Sequence, residues 1–197
     1  MKKKILVGII SAIMLIASIG ALNACSDKDP VSSATKKFAA VGEVKEATTT
    51  VSIKAGETEA YYSETKYTMK ETDVEKESRV RTLSEDPNSD EDYTEESKKE
   101  TVSKENALKA LHANLTANKD VCDGEITVTS GENGTKVTFR LKGESKDAFL
   151  GLDETDGAKV KDVEVNILVG EKHVTQYEIT YVTTNGNVVK ITTEYVY

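Results

Sequence analysis

Apolar and polar residues alternate along much of the chain with the period of β-strands. Val51 and Ile53 fall on one side of the first such segment, and residues 61–69 continue the two-residue period. A return strand is predicted over residues 74–83. Successive side chains of a strand point to opposite faces, so this pattern predicts a sheet with one apolar face and one solvent-exposed face.

Two apolar sets of opposite parity flank the dipeptide Asn133-Gly134. They are the even-numbered Ile126 and Val128, and the odd-numbered Val137, Phe139 and Leu141. Residues that face each other across a hairpin share a side of the sheet, so only a loop of even length aligns the two sets. A two-residue turn at Asn133-Gly134 meets this condition and predicts Val128 opposite Phe139.

One odd-numbered set continues through the last three predicted strands. Its members are Val163, Val165, Ile167, Val169, Thr175, Tyr177, Ile179, Tyr181, Val189, Ile191, Thr193, Tyr195 and Tyr197. Sets of equal parity require loops of odd length. We therefore predict a three-residue loop around Asn185-Gly186, with Gly186 in the left-handed conformation.

One segment has the apolar period of a helix. Ser103 is a suitable N-cap, and the apolar stripe of Ala107, Leu108, Leu111 and Leu115 predicts a helix over residues 103–117. A shorter helix is predicted over residues 145–152. The expected fold class is α+β, a curved antiparallel sheet of about seven or eight strands with one main helix packed on one face.

The amino terminus has a different character. Three lysines at positions 2–4 precede an apolar run over residues 5–21, the plan of a secretory signal. The segment ends in Leu22-Asn23-Ala24-Cys25, which resembles the lipobox of bacterial lipoproteins. The resemblance implies cleavage before Cys25 and a diacylglycerol anchor on that cysteine. An uncleaved transmembrane anchor is the alternative, and both place the remaining chain outside the cytoplasm.

These features divide the chain into a signal peptide (1–24), a lipidated start with a flexible tether (25–47) and a single β-rich domain (48–197). Within the domain, residues 85–100 carry eight acidic side chains and are predicted to form a loop. The spacing of Asp90, Asp92, Thr94 and Glu96 suggests calcium ligands. However, Thr101 stands where the closing glutamate of such a loop belongs, so a solvated charged loop is favoured.

Composition narrows the range of partners. The chain has a net charge of −8, and loss of residues 1–24 with their three lysines makes the mature part −11. Nucleic-acid binding and docking on anionic lipid headgroups both need a basic surface, so neither is expected. With Cys25 lipidated, Cys122 has no disulfide partner and is interpreted as a small, partly buried apolar residue.

No catalytic, metal or cofactor motif is found. The two histidines, His112 and His173, are isolated from each other, and no Gly-x-Ser-x-Gly or His-Glu-x-x-His sequence occurs. We therefore predict a protein that is not an enzyme and that uses no cofactor. An enzyme would require one of these histidines beside an acid in a cleft.

Three tyrosines and two isoleucines on the apolar side of the last strands form the candidate ligand-facing group. The group consists of Tyr177, Ile179, Tyr181, Ile191 and Tyr195. Tyrosine rings can line a site for an apolar molecule, although these residues equally suit an ordinary core beneath the helix.

The sequence predicts a lipid-anchored envelope protein on the extracytoplasmic face of the cell membrane, or of the outer membrane if there are two. Its domain is interpreted as a non-catalytic binding or interaction module. The alternative is a carrier or sensor of a lipid-like ligand held between the curved sheet and the helix. Its partners would be the membrane, through the lipid, and an unknown protein or apolar ligand.

Overall fold

The computed structural model describes residues 29–84, 93–150 and 160–197. These residues form one antiparallel sheet of nine strands, in the order β4-β3-β2-β1-β9-β8-β7-β6-β5. The strands are β1 (Glu46–Ala55), β2 (Thr58–Met69), β3 (Asp73–Leu83), β4 (Tyr93–Ser103), β5 (Thr127–Gly131), β6 (Gly134–Arg140), β7 (Val160–Val169), β8 (Val174–Thr183) and β9 (Val188–Val196). The pairing of β1 with β9 joins the two ends of the described chain into one sheet.

The helices are short. They are α1 (Pro30–Thr35), α2 (Lys104–Ala110) and α3 (Lys146–Leu150), with 3-10 segments at Lys36–Glu43, Lys119–Val121 and Gly143–Ser145. The predicted α+β fold, a curved sheet of seven or eight strands under one main helix, is therefore wrong. The described chain has nine strands, and the helix predicted over residues 103–117 ends after two turns.

Helix α2 begins where predicted and ends early for a local reason. The Asn106 amide donates to Ser103 Oγ at 3.3 Å, which confirms the N-cap. At the other end His112 has a left-handed φ of 61°. Its amide donates to the Lys109 carbonyl and the Ala113 amide to the Leu108 carbonyl, the two bonds of a Schellman motif. Such a stop usually has glycine at this position, and its absence led to the longer prediction.

The segment predicted as a flexible tether belongs to the fold from Asp29 onward, so that prediction is wrong for residues 29–47. The Asp29 carboxylate caps α1 by accepting from the amides of Val31 and Ser32 at 3.0 and 3.1 Å. Val31 and Phe38 have no exposed surface. The 3-10 segment Lys36–Glu43 contacts β8, and α1 contacts β6 and β7. The serines, lysines and alanines of residues 29–47 resemble those of a linker, but the apolar residues of this segment form one buried stripe.

The core lies on one side of the sheet, here called the apolar face. Its largest fully buried side chains include Tyr177, Phe38, Phe139, Phe149, Leu111, Ile167 and Ile179. Each large side chain removed from water in this way contributes roughly 1.5–3 kcal/mol. The opposite side, here called the polar face, carries mostly polar and charged residues.

Two hairpin registers test the parity argument. Gly186 has a φ of 83° in a loop closed by Thr183 and Asn187, so the predicted three-residue loop is confirmed. The turn predicted at Asn133-Gly134 is wrong by one position, because Gly131 pairs with Gly134 around Glu132-Asn133. Val128 consequently faces Val137 instead of Phe139.

Candidate interaction surface

Strands β3 and β4 form a wing of the sheet, here called the open wing, that has almost no core beneath it. Val74 is the one buried residue in these two strands, and it lies at the end next to α2. Most residues of β4 are exposed. No described residue covers either face across most of the wing, so both faces are accessible to a partner as far as the described residues show.

The acidic segment contributes a strand to this wing. The loop predicted over residues 85–100 is wrong for residues 93–100, which pair with β3 without interruption, while residues 85–92 lie outside the described residues. Of the suggested calcium ligands, Thr94 and Glu96 lie on β4 and the two aspartates fall in the undescribed part. Opposite charges on β3 explain why so charged a segment forms a strand.

Positive and negative side chains alternate across the polar face of the wing and form ion pairs. Arg79 donates two hydrogen bonds to Glu95, at 2.7 and 2.8 Å. Lys99 lies opposite Glu77, with 2.6 Å between Nζ and Oε1, and also pairs with Glu75. These hydrogen bonds raise the pKa of Lys99 and lower the pKa of Glu95 and of Glu75. Exposed pairs of this kind stabilise little, because water screens them, but they favour this register over others.

The other face of the wing is also charged. Lys76 donates to Glu100 at 2.9 Å, and Lys98 pairs with the same carboxylate. The hydrogen bonds from these two lysines lower the pKa of Glu100 to about 2, and the bond from Lys76 has the larger effect. The side of the sheet that is apolar over β6–β9 thus becomes ionic over β3 and β4.

An arginine between two tyrosines lies at the far end of the wing. The Arg81 guanidinium carbon is 4.8 Å from the ring centroid of Tyr93 and 5.5 Å from that of Tyr62. Arg81 also pairs with Glu59, while its Nε is buried without a hydrogen-bond partner among the described residues. Arginine and tyrosine are enriched among the residues that anchor protein interfaces.

The five predicted ligand-facing residues lie together on the apolar face. Tyr177 and Ile179 are buried, and the Tyr177 hydroxyl donates to the Phe149 carbonyl at 3.1 Å. Tyr195 donates to the Leu111 carbonyl at 3.0 Å. Tyr181 and Ile191 are partly buried against the same core. Their packing is the one expected of core residues, the alternative that the sequence left open.

Each histidine packs against a different tyrosine. The His112 ring packs on Tyr177 with 4.8 Å between centroids, and His173 stacks on Tyr197 at 4.2 Å. Among the residues that the structure describes, neither pairs with a carboxylate, and no cluster of three metal-binding side chains occurs. Cys122 is buried, and burial raises the pKa of its thiol to about 11.

Burial lowers the pKa of His112 below its ordinary value of 6.5. As the pH is lowered, His112 therefore becomes protonated in the unfolded chain at a higher pH than in the folded chain. The folded state consequently loses stability as the pH falls below 6.5. We expect His112→Asn, which tolerates the left-handed backbone, to lose less stability than the parent between about pH 7.5 and about pH 5.5. Urea unfolding at the two pH values measures this, and an equal loss in both proteins would contradict it.

Comparison with known proteins assigns no family. No family model matches the chain, and no curated protein matches it. One solved structure with some likeness is that of an N-terminal dehydratase from the difficidin assembly line. It is 11% identical, the alignment covers 82% of each chain, and the TM-score is 0.18. A score this low carries no argument about fold or activity. No helix in the described ranges is long and apolar enough to cross a membrane.

Proposed function

We propose that this chain is a lipid-anchored extracytoplasmic protein, and that its domain is a non-catalytic module that binds a partner protein through the open wing. The observation that carries the proposal is the contrast between the two parts of the sheet. Over β6–β9 the apolar face is covered, while β3 and β4 extend as strands of 11 residues each with charged side chains on both faces.

Strands without a core contribute little to the stability of their own domain, because apolar burial is the main favourable term in folding. A long, ordered wing that no described residue covers is therefore better explained as a surface for binding than as a support for the fold. Its ionic lattice and the Arg81 cluster offer a protein partner charges of both signs. The mature net charge of −11 makes nucleic acid a poor partner.

The packing of Phe38 favours an interaction module over a carrier of an apolar ligand. A carrier needs unfilled volume against the apolar face. Here the Phe38 ring fills that position, with edge contacts to Tyr177 at 5.5 Å and Tyr195 at 6.3 Å between centroids. Both tyrosine hydroxyls already have backbone partners.

Anchoring at Cys25 would hold this domain close to the membrane. Asp29 begins the described fold, so at most about 14 Å of extended chain separates it from Cys25. Two or three acyl chains on one cysteine give stable anchoring, since each buried methylene adds about 0.8 kcal/mol. The partner is then a protein of the envelope or cell surface.

The anchor is tested by metabolic labelling with an alkyne fatty acid. We expect the parent chain and Cys122→Ser to be labelled and to sediment with membranes, and Cys25→Ser to lose both properties. Label retained by Cys25→Ser would contradict the proposed site of attachment.

The binding surface is tested by a photo-crosslinking amino acid in living cells. Ser97 and Thr101 on the polar face of β4 are exposed and uncharged, and Thr129 on β5 is a matched exposed control at the opposite edge. We expect protein adducts from the β4 positions and few from Thr129. Equal yields at all three positions, or none, would contradict the wing as the binding surface.

A further inference from the structure

The outer edge of β4 is an unpaired sheet edge of unusual length. β4 is the last strand in the sheet order, and no described residue pairs with its outer side. It has 11 residues, whereas β5 at the other edge has five. Its pairing with β3 has no bulge, and the strand contains no proline. Sheet edges are commonly protected by short length, bulges, proline or charge. Charge is the only one of these devices that β4 uses.

The charges on β4 are ordered so that they complement themselves. The segment Glu95-Glu96-Ser97-Lys98-Lys99 reverses its sign about Ser97. If two such strands pair antiparallel around a two-fold axis at Ser97, Glu95 faces Lys99 of the second copy and Glu96 faces Lys98 of the second copy. The symmetry doubles these contacts, which places two opposite-charge pairs on each face of the sheet.

Other registers do not share this complementarity. A shift of two residues places Glu96 opposite a second Glu96 or opposite Glu100, and parallel pairing in register sets every charge against its like. Like charges directly opposite each other destabilise a strand pair, and opposite charges stabilise it. The charge pattern therefore selects one geometry of self-pairing.

The side chains that this pairing needs are accessible. Glu96 makes no hydrogen bond or ion pair with any residue that the structure describes, and it is exposed. The side chains of Lys98 and Lys99 are 71% and 63% exposed. On the polar face, the pairing extends the existing alternation of sign. The row would run through Arg81 and Glu95 into Lys99, Glu77 and Lys66 of the second copy.

We propose that two copies of this chain join β4 to β4, antiparallel around a two-fold axis at Ser97, into one continuous sheet. This inference rests on the proposed function and names a second copy as the partner of the open wing. The axis is perpendicular to the sheet, because odd residues face odd residues. Both copies of Asp29 then lie on the same side of the joint sheet, which allows both lipid anchors to enter one membrane.

The register is tested by disulfide formation in membranes from cells that express the full chain. A cysteine at position 97 would lie opposite the same position of the second copy. The Cα separation would be about 4.5–5.5 Å, which a disulfide can span. A cysteine at Thr101 would lie roughly 27 Å from its copy. With a mild oxidant we expect Ser97→Cys to form a species of twice the chain mass, at least about tenfold above Thr101→Cys and the parent chain. Equal yields would overturn the proposal.

A charge complementation experiment separates pairing from misfolding. Glu96→Lys and Lys98→Glu each place like charges opposite each other in a self-pair, so each alone should reduce the Ser97→Cys dimer. A mixture of the two variants restores both opposite-charge pairs between unlike copies. We expect the mixed dimer to recover, with unchanged melting by circular dichroism for each variant. No recovery from two folded variants would contradict the self-pairing.

The photo-crosslinking described above keeps the two proposals distinct. Adducts of Ser97 with other proteins, without a cysteine dimer, would retain the wing as a binding surface and refute self-pairing. The absence of both would refute both proposals.

Discussion

Phe38→Ala is expected to lower the free energy of unfolding by about 3–5 kcal/mol, as truncation of a fully buried phenylalanine does. The ring has no exposed surface and packs edge-on against Tyr177 and Tyr195. Loss of the ring leaves a cavity between the 3-10 segment Lys36–Glu43 and the sheet. The effect is a large part of the stability of a typical domain, which is about 5–15 kcal/mol.

Urea unfolding at neutral pH measures this change, with Glu43→Ala as the control. Glu43 lies in the same 3-10 segment and is exposed, so its truncation should change stability by less than about 0.5 kcal/mol. If residues 29–47 were a tether, both substitutions would be neutral. A neutral Phe38→Ala would therefore refute the packing of this segment.

Gly134→Ala is expected to destabilise the domain by about 2–5 kcal/mol, because it combines backbone strain with a steric clash. Gly134 has a φ of 122°, a conformation that alanine rarely adopts. A Cβ at this position would lie 2.2 Å from the backbone oxygen of Val169. The oxygen belongs to the neighbouring strand β7, so relief of the clash requires β6 and β7 to separate locally.

Two other glycines divide this effect into its parts. Gly131 pairs with Gly134 but has open space around its Cα and an ordinary φ, so Gly131→Ala should be neutral or slightly stabilising. Gly186 has a positive φ of 83° and open space, so Gly186→Ala should show the cost of strain alone, about 1–2 kcal/mol. Thermal unfolding of the three variants gives the ranking, and a Gly134→Ala protein as stable as Gly186→Ala would contradict the clash.

Local chemistry explains which elements could be predicted. The loop around Gly186 and the N-cap at Ser103 are determined by residues a few positions apart, and both are confirmed. The parity of the last strands also correctly assigns their shared face, with Ile179 opposite Ile191 and Val165 opposite Ile179. A face that must be buried tolerates no register slip, since a shift of one residue would expose it.

The turn before β6 shows where local chemistry was insufficient. Asn-Gly is a strong signal for the two central positions of a hairpin turn. Here Gly134 lies directly after the two central positions of the turn. At that position the backbone of β7 approaches too closely for any side chain. That requirement comes from a strand about 35 residues away along the chain and outweighs the preference of the dipeptide.

The sequence by itself determined the alternating strands, their shared apolar face and the local turn at Gly186, because these depend on short-range periodicity and backbone preference. Only the tertiary structure decided that Val31 and Phe38 belong to the core, and that residues 93–100 form a strand. A weakly apolar segment is buried when a complementary face is available, and a charged segment becomes a strand when opposite charges lie across from it. Both conditions depend on contacts between different segments, which the local sequence of either segment does not contain.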